Sequence, residues 1–324
     1  MATFSTTNKT YVESDANFRT LLGFIRTMFT NFGWVQTSDS GQINPATVTY
    51  PGSNNSDAGY EVWRMADSLQ SSFPVYVKIF YGRGGANGAF RINLGISMSV
   101  TDGSGNFTGI ASSGPAFAVT GNPSTRPISD ATSFRIFGSG DTNRMVFSFW
   151  PDVVNQAYGC LFGIERTKDG NGADTGEGIV AIWNAFGGNN TSTNSNDWSQ
   201  LTIPFNLTYT PAFIGSNQSG VAGTFRSLGS GLGGATARSG QDSGSTLHKG
   251  KVYAYPYFPL GSVSKYPLMN ALVVVAADWP VDYSNVTIPF YGANHIYMPL
   301  GVGPTVVNGP FRQGSNLGFL MRYE

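Results

Sequence analysis

Histidine and cysteine are nearly missing from this chain: its 324 residues include two of the first and one of the second. Histidine is the most frequent catalytic base, and soft metal ions need cysteine and histidine ligands, so little is left for either chemistry. A single cysteine also excludes an intrachain disulfide. Cys160 lies in the apolar run Tyr158-Gly159-Cys160-Leu161-Phe162 and reads as a small buried hydrophobe. Charge is scarce, at 12% of residues, and balanced, with 19 Lys plus Arg against 19 Asp plus Glu. Binding through phosphate neutralisation leaves a basic excess or stripe, and none is visible here, so no nucleic-acid partner is expected. Near-zero net charge instead favours association. No apolar run approaches membrane-spanning length, 271–277 being far too short, so no membrane insertion is expected. Residues 1–7 have neither the basic start nor the apolar stretch of a signal peptide, and none is expected.

What is abundant is glycine (42), tyrosine (15) and phenylalanine (23), with 40% hydrophobic residues overall, enough to fill a core. Apolar patches alternate with Gly/Ser/Asn/Thr-rich turns from one end to the other. This composition predicts a mainly β protein: an antiparallel, β-sandwich-like domain followed by a loop-rich β region. One helix interrupts it. Phe18, Leu21, Leu22, Ile25, Met28, Phe29 and Phe32 recur at helical spacing, Ser14 or Asp15 can cap the start, and Gly33 stands just past the end. Arg19, Arg26 and Thr30 fall on the opposite face. Such an amphipathic helix needs a sheet or a partner subunit to cover its apolar side.

Beyond Trp34 the period becomes two. The segments 60–65, 75–81 and 90–96 read as strands, the last two paired across a glycine turn. Segments 134–137 and 145–149 read as a hairpin turning at Gly138-Ser139-Gly140-Asp141, and 159–165 with 178–183 as another turning at 168–172. Gly187-Gly188-Asn189-Asn190 marks a boundary, which divides the chain into regions 1–188 and 189–324. In the second region, 216–250 reads as a long Gly/Ser loop, with strand signals returning at 251–255, 271–277, 286–291, 295–300 and 318–323.

The motifs that could carry chemistry are weak. Gly229-Ser230-Gly231-Leu232-Gly233-Gly234 matches the letters of a dinucleotide fingerprint but has no helix after it, so no cofactor is expected. Lys168 to Glu177 gathers oxygen donors. Ala173 and Asp174 break the calcium-loop pattern, which leaves a hairpin turn or at most a weak surface Ca²⁺ site. His248 reads as solvent-facing and His295 as structural. Glu61, Asp67, Glu165 and Glu177 are default candidates for a glycosidase pair, since such carboxylates need not be close in sequence. Trp198, Tyr253, Tyr255 and Tyr257 are candidates for a sugar-stacking platform, against the plainer reading as sheet core. No catalytic, cofactor-binding or metal-binding residue is assigned, and no enzyme is expected.

Two stretches carry a resemblance. Tyr60-Glu61-Val62-Trp63-Arg64-Met65-Ala66-Asp67-Ser68-Leu69-Gln70, followed by Pro74-Val75-Tyr76-Val77-Lys78-Ile79-Phe80-Tyr81-Gly82, resembles the "WR-ND-LQ" segment and "PVFVKIEYG" run of structural proteins of tailed-bacteriophage virions. Phe162-Gly163-Ile164-Glu165-Arg166-Thr167-Lys168-Asp169 looks like a second shared stretch, and the helix precedes both as it does in those proteins. The likeness covers about the first 190 residues. Phe80 stands where the pattern has an acid, so no site is carried over. The resemblance implies a non-enzymatic virion subunit of the neck, collar, tail or baseplate, or one linked to a fibre. It would be homo-oligomeric, docked to other virion proteins, and assembled in a bacterial cytoplasm. A receptor- or glycan-binding tip is the alternative, and a virion-borne glycan depolymerase a third.

Overall fold

The computed structural model describes residues 2–11, 14–53, 56–83, 90–108, 111–113, 117–118, 132–151, 159–168, 173–186, 212–216, 226–227, 245–248, 251–254, 272–276, 286–290, 293–299 and 317–322. Its helix, α1, spans Asp15–Asn31. Ser14 Oγ caps it by accepting from the Asn17 amide at 3.2 Å. It ends in a Schellman motif: Gly33, at φ 83°, donates its amide to Thr30 O, and Trp34 donates to Phe29 O. The Trp34 ring then stands edge-on to Phe29 at 5.7 Å. All seven residues of the expected apolar face are buried. Taking such a side chain out of water contributes about 1.5–3 kcal/mol, so packing rather than propensity holds this helix.

The rest of the described chain is mostly β. The strands are β1 (Ala2–Tyr11), β2 (Val35–Gln36), β3 (Ser56–Arg64), β4 (Tyr76–Arg83), β5 (Phe90–Ser97), β6 (Ala111–Ser113), β7 (Phe117–Ala118), β8 (Thr132–Asp141), β9 (Arg144–Pro151) and β10 (Gly159–Lys168). They continue with β11 (Asp174–Phe186), β12 (Ala212–Ser216), β13 (Arg226–Ser227), β14 (Ser245–His248), β15 (Lys251–Ala254), β16 (Leu272–Ala276), β17 (Val286–Phe290), β18 (Ala293–Pro299) and β19 (Leu317–Arg322). They form three sheets, and every pairing is antiparallel. The first runs β2-β3-β4-β5-β6, with β7 also on β5. The second runs β1-β8-β9-β10-β11-β12-β13, and the third β14-β15-β16-β19-β18-β17. The end strands of the third sheet, β14 and β17, lie near each other, so this sheet curls.

One core joins α1 to the first two sheets. Alternation puts Val77, Ile79 and Tyr81 of β4 and Ile92, Leu94 and Ile96 of β5 on one buried face. Phe29 links the layers, with its ring 5.0 Å from Trp63 on β3 and 6.2 Å from Phe147 on β9. Phe147 in turn packs on Phe162 of β10 at 5.0 Å. The hairpin of β8 and β9 closes on the helix C-terminus: Trp34 Nε1 donates to Asp141 O at 3.0 Å, and the Ala66 amide to Thr142 O at 3.0 Å.

That hairpin turns later than the sequence suggests. Gly138-Ser139-Gly140-Asp141 belongs to β8, and the turn is Thr142-Asn143. The glycines serve the helix instead. A Cβ at Gly138 would lie 2.6 Å from Met28 Sδ, and one at Gly140 would lie 2.8 Å from the Phe32 ring. The expected helix, the strand trio at 60–96, the hairpin of β10 and β11, and the five C-terminal strand segments all correspond to elements found. Strand β1 was not foreseen. The second sheet draws β12 and β13 from beyond residue 189, and within 216–250 the described residues are the end of β12, β13 and β14.

Candidate functional site

The default carboxylate candidates occupy separate places, and each described one faces arginine. Glu61 sits on the inward face of β3 and is fully buried. Arg26 reaches it from α1, Nε donating to Oε1 at 2.8 Å and Nη2 to the same oxygen. The Tyr81 hydroxyl donates to Oε2 at 2.8 Å, and Gln36 Nε2 approaches Oε1 at 3.5 Å. Both carboxylate oxygens are therefore held. Burial first, then the neighbouring Glu61 charge and hydrogen bond, push the Tyr81 phenol well above its usual range, against a smaller opposite effect of Arg26. An acid stands at this core position because a helix arginine and a core tyrosine meet it there.

Asp67, in the segment after β3, takes two hydrogen bonds from Arg166 of β10: Nη2 to Oδ1 at 2.9 Å and Nε to Oδ2. Arg166 is 1% exposed, and the two-pronged geometry is the strong form of this pair. Its neighbour Glu165 is buried on the other face of β10, opposite Arg144 of β9. Burial disfavours the Arg144 guanidinium, but Glu165, Asp141 and Asp174 together outweigh that and raise its pKa. Arg144 also donates from Nε to Asp141 Oδ2 at 2.9 Å. Strand β10 is thus covered on both faces. Glu177 falls in β11, and its side chain lies outside the described residues.

One pair ties α1 to the first sheet, and another ties the first sheet to the second.

A second cluster escaped the sequence reading. Segments 37–44 and 99–108 close over the outer face of the first sheet. Asp39 accepts at Oδ1 from Thr101 Oγ1 at 2.7 Å and from the Gly105 amide at 3.4 Å, and at Oδ2 from Thr37 Oγ1. The Tyr60 hydroxyl lies 2.8 Å from Ser40 O and 2.7 Å from Ser104 O, sharing its one proton between them. Lys78 donates to Gly105 O at 2.8 Å and stands 3.9 Å above the Tyr60 ring and 4.6 Å above that of Phe80. Burial lowers the Lys78 pKa, partly offset by Asp102 and Asp39. Gln42 completes the clasp by imitating backbone: its Oε1 accepts from the Val62 amide and its Nε2 donates to Thr37 O, both at 2.8 Å. The Gln42 side chain thereby occupies the edge of β3 where β2 stops.

His295, on β18, accepts at Nδ1 from Arg322 Nη2 of β19 at 2.9 Å. Burial, then Arg322 and Arg144, lower its pKa. His248 pairs with Lys251 in the ladder of β14 and β15, and Tyr253 with Val275 and Thr246; nothing further is described for either side chain. Trp198, Tyr255, Tyr257 and the 229–234 glycine run lie outside the described residues, as does the 169–172 tip of the oxygen-rich hairpin. Asp174, at the base of that hairpin, accepts from Asn143 Nδ2. Among the described residues no group of three or more potential metal ligands comes together, and no helix is long and apolar enough to cross a membrane. Comparisons with protein-family models, with curated proteins and with solved structures return no match.

Proposed function

We propose that this chain is a non-enzymatic structural subunit of a tailed-phage virion, located at the neck or collar, tail, baseplate or a fibre attachment. In this reading it works by associating with copies of itself and docking to other virion proteins, after assembly in the bacterial host cytoplasm. The observation that carries the reading is the Asp67–Arg166 pair. The two stretches that resemble phage structural proteins are far apart in sequence, and this ion pair joins one to the other. What is shared is then a locking element, as expected where the fold itself is the function. In this reading residues 1–188, with β12 and β13 added to the second sheet from beyond them, form a sandwich-like docking domain, and the rest of 189–324 a loop-rich β region that meets neighbours or faces outward.

The commitment of Glu61 and Asp67 to arginines supports the architectural role over a depolymerase with a free carboxylate pair. Two measurements test the reading. Mass spectrometry and electron cryo-microscopy of intact particles are expected to find the chain in stoichiometric, symmetric copies. Sedimentation of the purified chain is expected to show a defined oligomer. Absence from particles together with a strictly monomeric chain at high concentration would sink it.

A further inference from the structure

The described sheets treat their edges unequally. The β2 edge of the first sheet is two residues long and is continued by the Gln42 side chain, which takes up the Val62 amide. At the far end of the second sheet, β13 also has two residues. In the third sheet the end strands β14 and β17 approach each other, and β17 contains Pro289, which has no amide to donate. These are the means by which proteins blunt sheet edges. Strand β1 is different. It has ten residues, stands last in the order of the second sheet, and pairs with β8 on one side. Its ladder is unbroken from Ala2↔Gly140 to Thr6↔Ile136, and the register shifts between Thr6 and Lys9. The bulge and Lys9, the one charged residue of the strand, blunt its second half. Its first half, Ala-Thr-Phe-Ser-Thr, is regular and uncharged.

We infer that Ala2–Thr6 of β1 is a self-association edge, which pairs antiparallel with the same segment of a second copy and continues the second sheet across a two-fold axis at Phe4. An edge strand is recognised by another edge strand, through main-chain hydrogen bonds. Among the described strands the long edge is β1, so the partner that fits is β1 of a second copy, in an isologous contact. A centre at Phe4 sets Ala2 opposite Thr6, Thr3 opposite Ser5 and Phe4 opposite itself. No like charges face each other, and an aromatic pair lies on the axis. Both Lys9 residues fall outside the paired segment. This inference rests on the oligomeric reading above and specifies its contact.

Disulfide trapping tests it. Thr3→Cys and Ser5→Cys proteins, one carrying a mass tag, are mixed and mildly oxidised, with the parent chain and its Cys160 as baseline. Opposed residues in an antiparallel pair lie within disulfide reach, whereas the diagonal Thr3 to Thr3 and Ser5 to Ser5 separations exceed it. The expected result is a tagged–untagged cross-link several-fold above that of either variant alone. Both substitutions are small, and far-ultraviolet circular dichroism checks that the variants fold. An oligomer by sedimentation with no preference for the mixed pair would overturn the β1 contact and leave the proposed function standing. A folded monomer at every concentration would overturn the β1 contact, and the proposed function with it only if the chain is also absent from particles.

Discussion

Arg166 holds Asp67 with two parallel hydrogen bonds at a point where the first and second sheets meet, the arginine side chain 1% exposed and the aspartate 9%. A guanidinium in that position cannot retreat to solvent when its partner is lost. The ion pair is therefore worth more as a constraint on how the sheets meet than as a net attraction.

Asp67→Ala is expected to destabilise the fold by about 3–5 kcal/mol, the usual result of stranding a buried charge. Arg166→Lys keeps the charge but not the fork, and its cost should fall between that of Asp67→Ala and zero. Urea-denaturation midpoints at constant m-value decide this. Equal midpoints for Asp67→Ala and the parent would show that the pair contributes nothing.

The helix pair is asymmetric. Arg26 retains 35% side-chain exposure, whereas Glu61 has none. Arg26→Ala leaves a buried carboxylate with Tyr81 and Gln36 as its described partners, while Glu61→Ala leaves an arginine that can swing into water. The first change should cost more than the second, within a scale of about 3–5 kcal/mol for breaking a buried pair. Paired denaturation curves and the double mutant measure the order directly, and a reversed order would mean the carboxylate finds other partners.

Tyr81 gives an alkaline signature. Its phenol titrates well above the ordinary value of 10.0 in the folded chain, so its stabilising contribution is complete below pH 10 and is lost as pH rises further, when only the unfolded state ionises readily. In an absorbance titration at 295 nm, Tyr81→Phe should leave the early-ionising tyrosines unchanged and remove a late component. Loss of an early component instead would place Tyr81 in water.

His295 gives the opposite dependence. Its hydrogen bond from Arg322 requires an unprotonated Nδ1, and its pKa lies below 6.5. Stability from the neutral ring is present above pH 6.5 and is lost as pH falls toward the lowered folded value. Arg322 and Arg144 both oppose a proton there, and Asp141, Glu165 and Asp174 act on Arg144. The His295 ring resonance, followed by NMR, should titrate below the ordinary range, and Arg322→Gln should move it upward. A midpoint at or above 6.5 in the parent would contradict the contact.

Gly138 and Gly140 form a groove for the helix. Gly138→Ala meets Met28, which can bend aside, and the tip of the Phe32 ring at 2.9 Å, whereas Gly140→Ala meets the Phe32 ring and also the Arg144 carbonyl at 2.8 Å, which is backbone and cannot bend aside. Overpacking of this kind costs about 1–3 kcal/mol, and Gly140→Ala is expected at the upper end. Thermal midpoints of the two variants settle the order.

These glycines show where the sequence could and could not be read. The α1 face was legible because seven large apolar residues repeat at 3.6, and β4 because a run of β-branched and aromatic residues broken only by Lys78 stands between Pro74 and Gly82. Gly138-Ser139-Gly140-Asp141 has turn chemistry, and only the helix packed on it shows why a strand needs glycines there. Strand β1 is mostly Thr, Ser and Asn, with apolar residues only at Ala2, Phe4 and Tyr11, too few to mark a strand, so its pairing is seen from the β8 ladder. The acids were visible, but their arginines were not: Arg26 stands 35 residues from Glu61, and Arg166 stands 99 from Asp67. No local pattern encodes such meetings. The clasp over Tyr60 and Lys78 was missed for the same reason, since it needs three separate segments.

The order of strands in the second sheet sets a timetable for synthesis. Its opening strand leaves the ribosome first, yet its ladder partners are Thr132 to Gly140. Between the two lies everything needed for the helix and the whole first sheet, whose pairings are local by comparison. Closing so long a loop carries an entropic cost that short hairpins escape. A nascent chain can therefore complete the helix-covered sheet while β1 still has no β8 to join, and on a polysome adjacent chains would present that same waiting strand to one another.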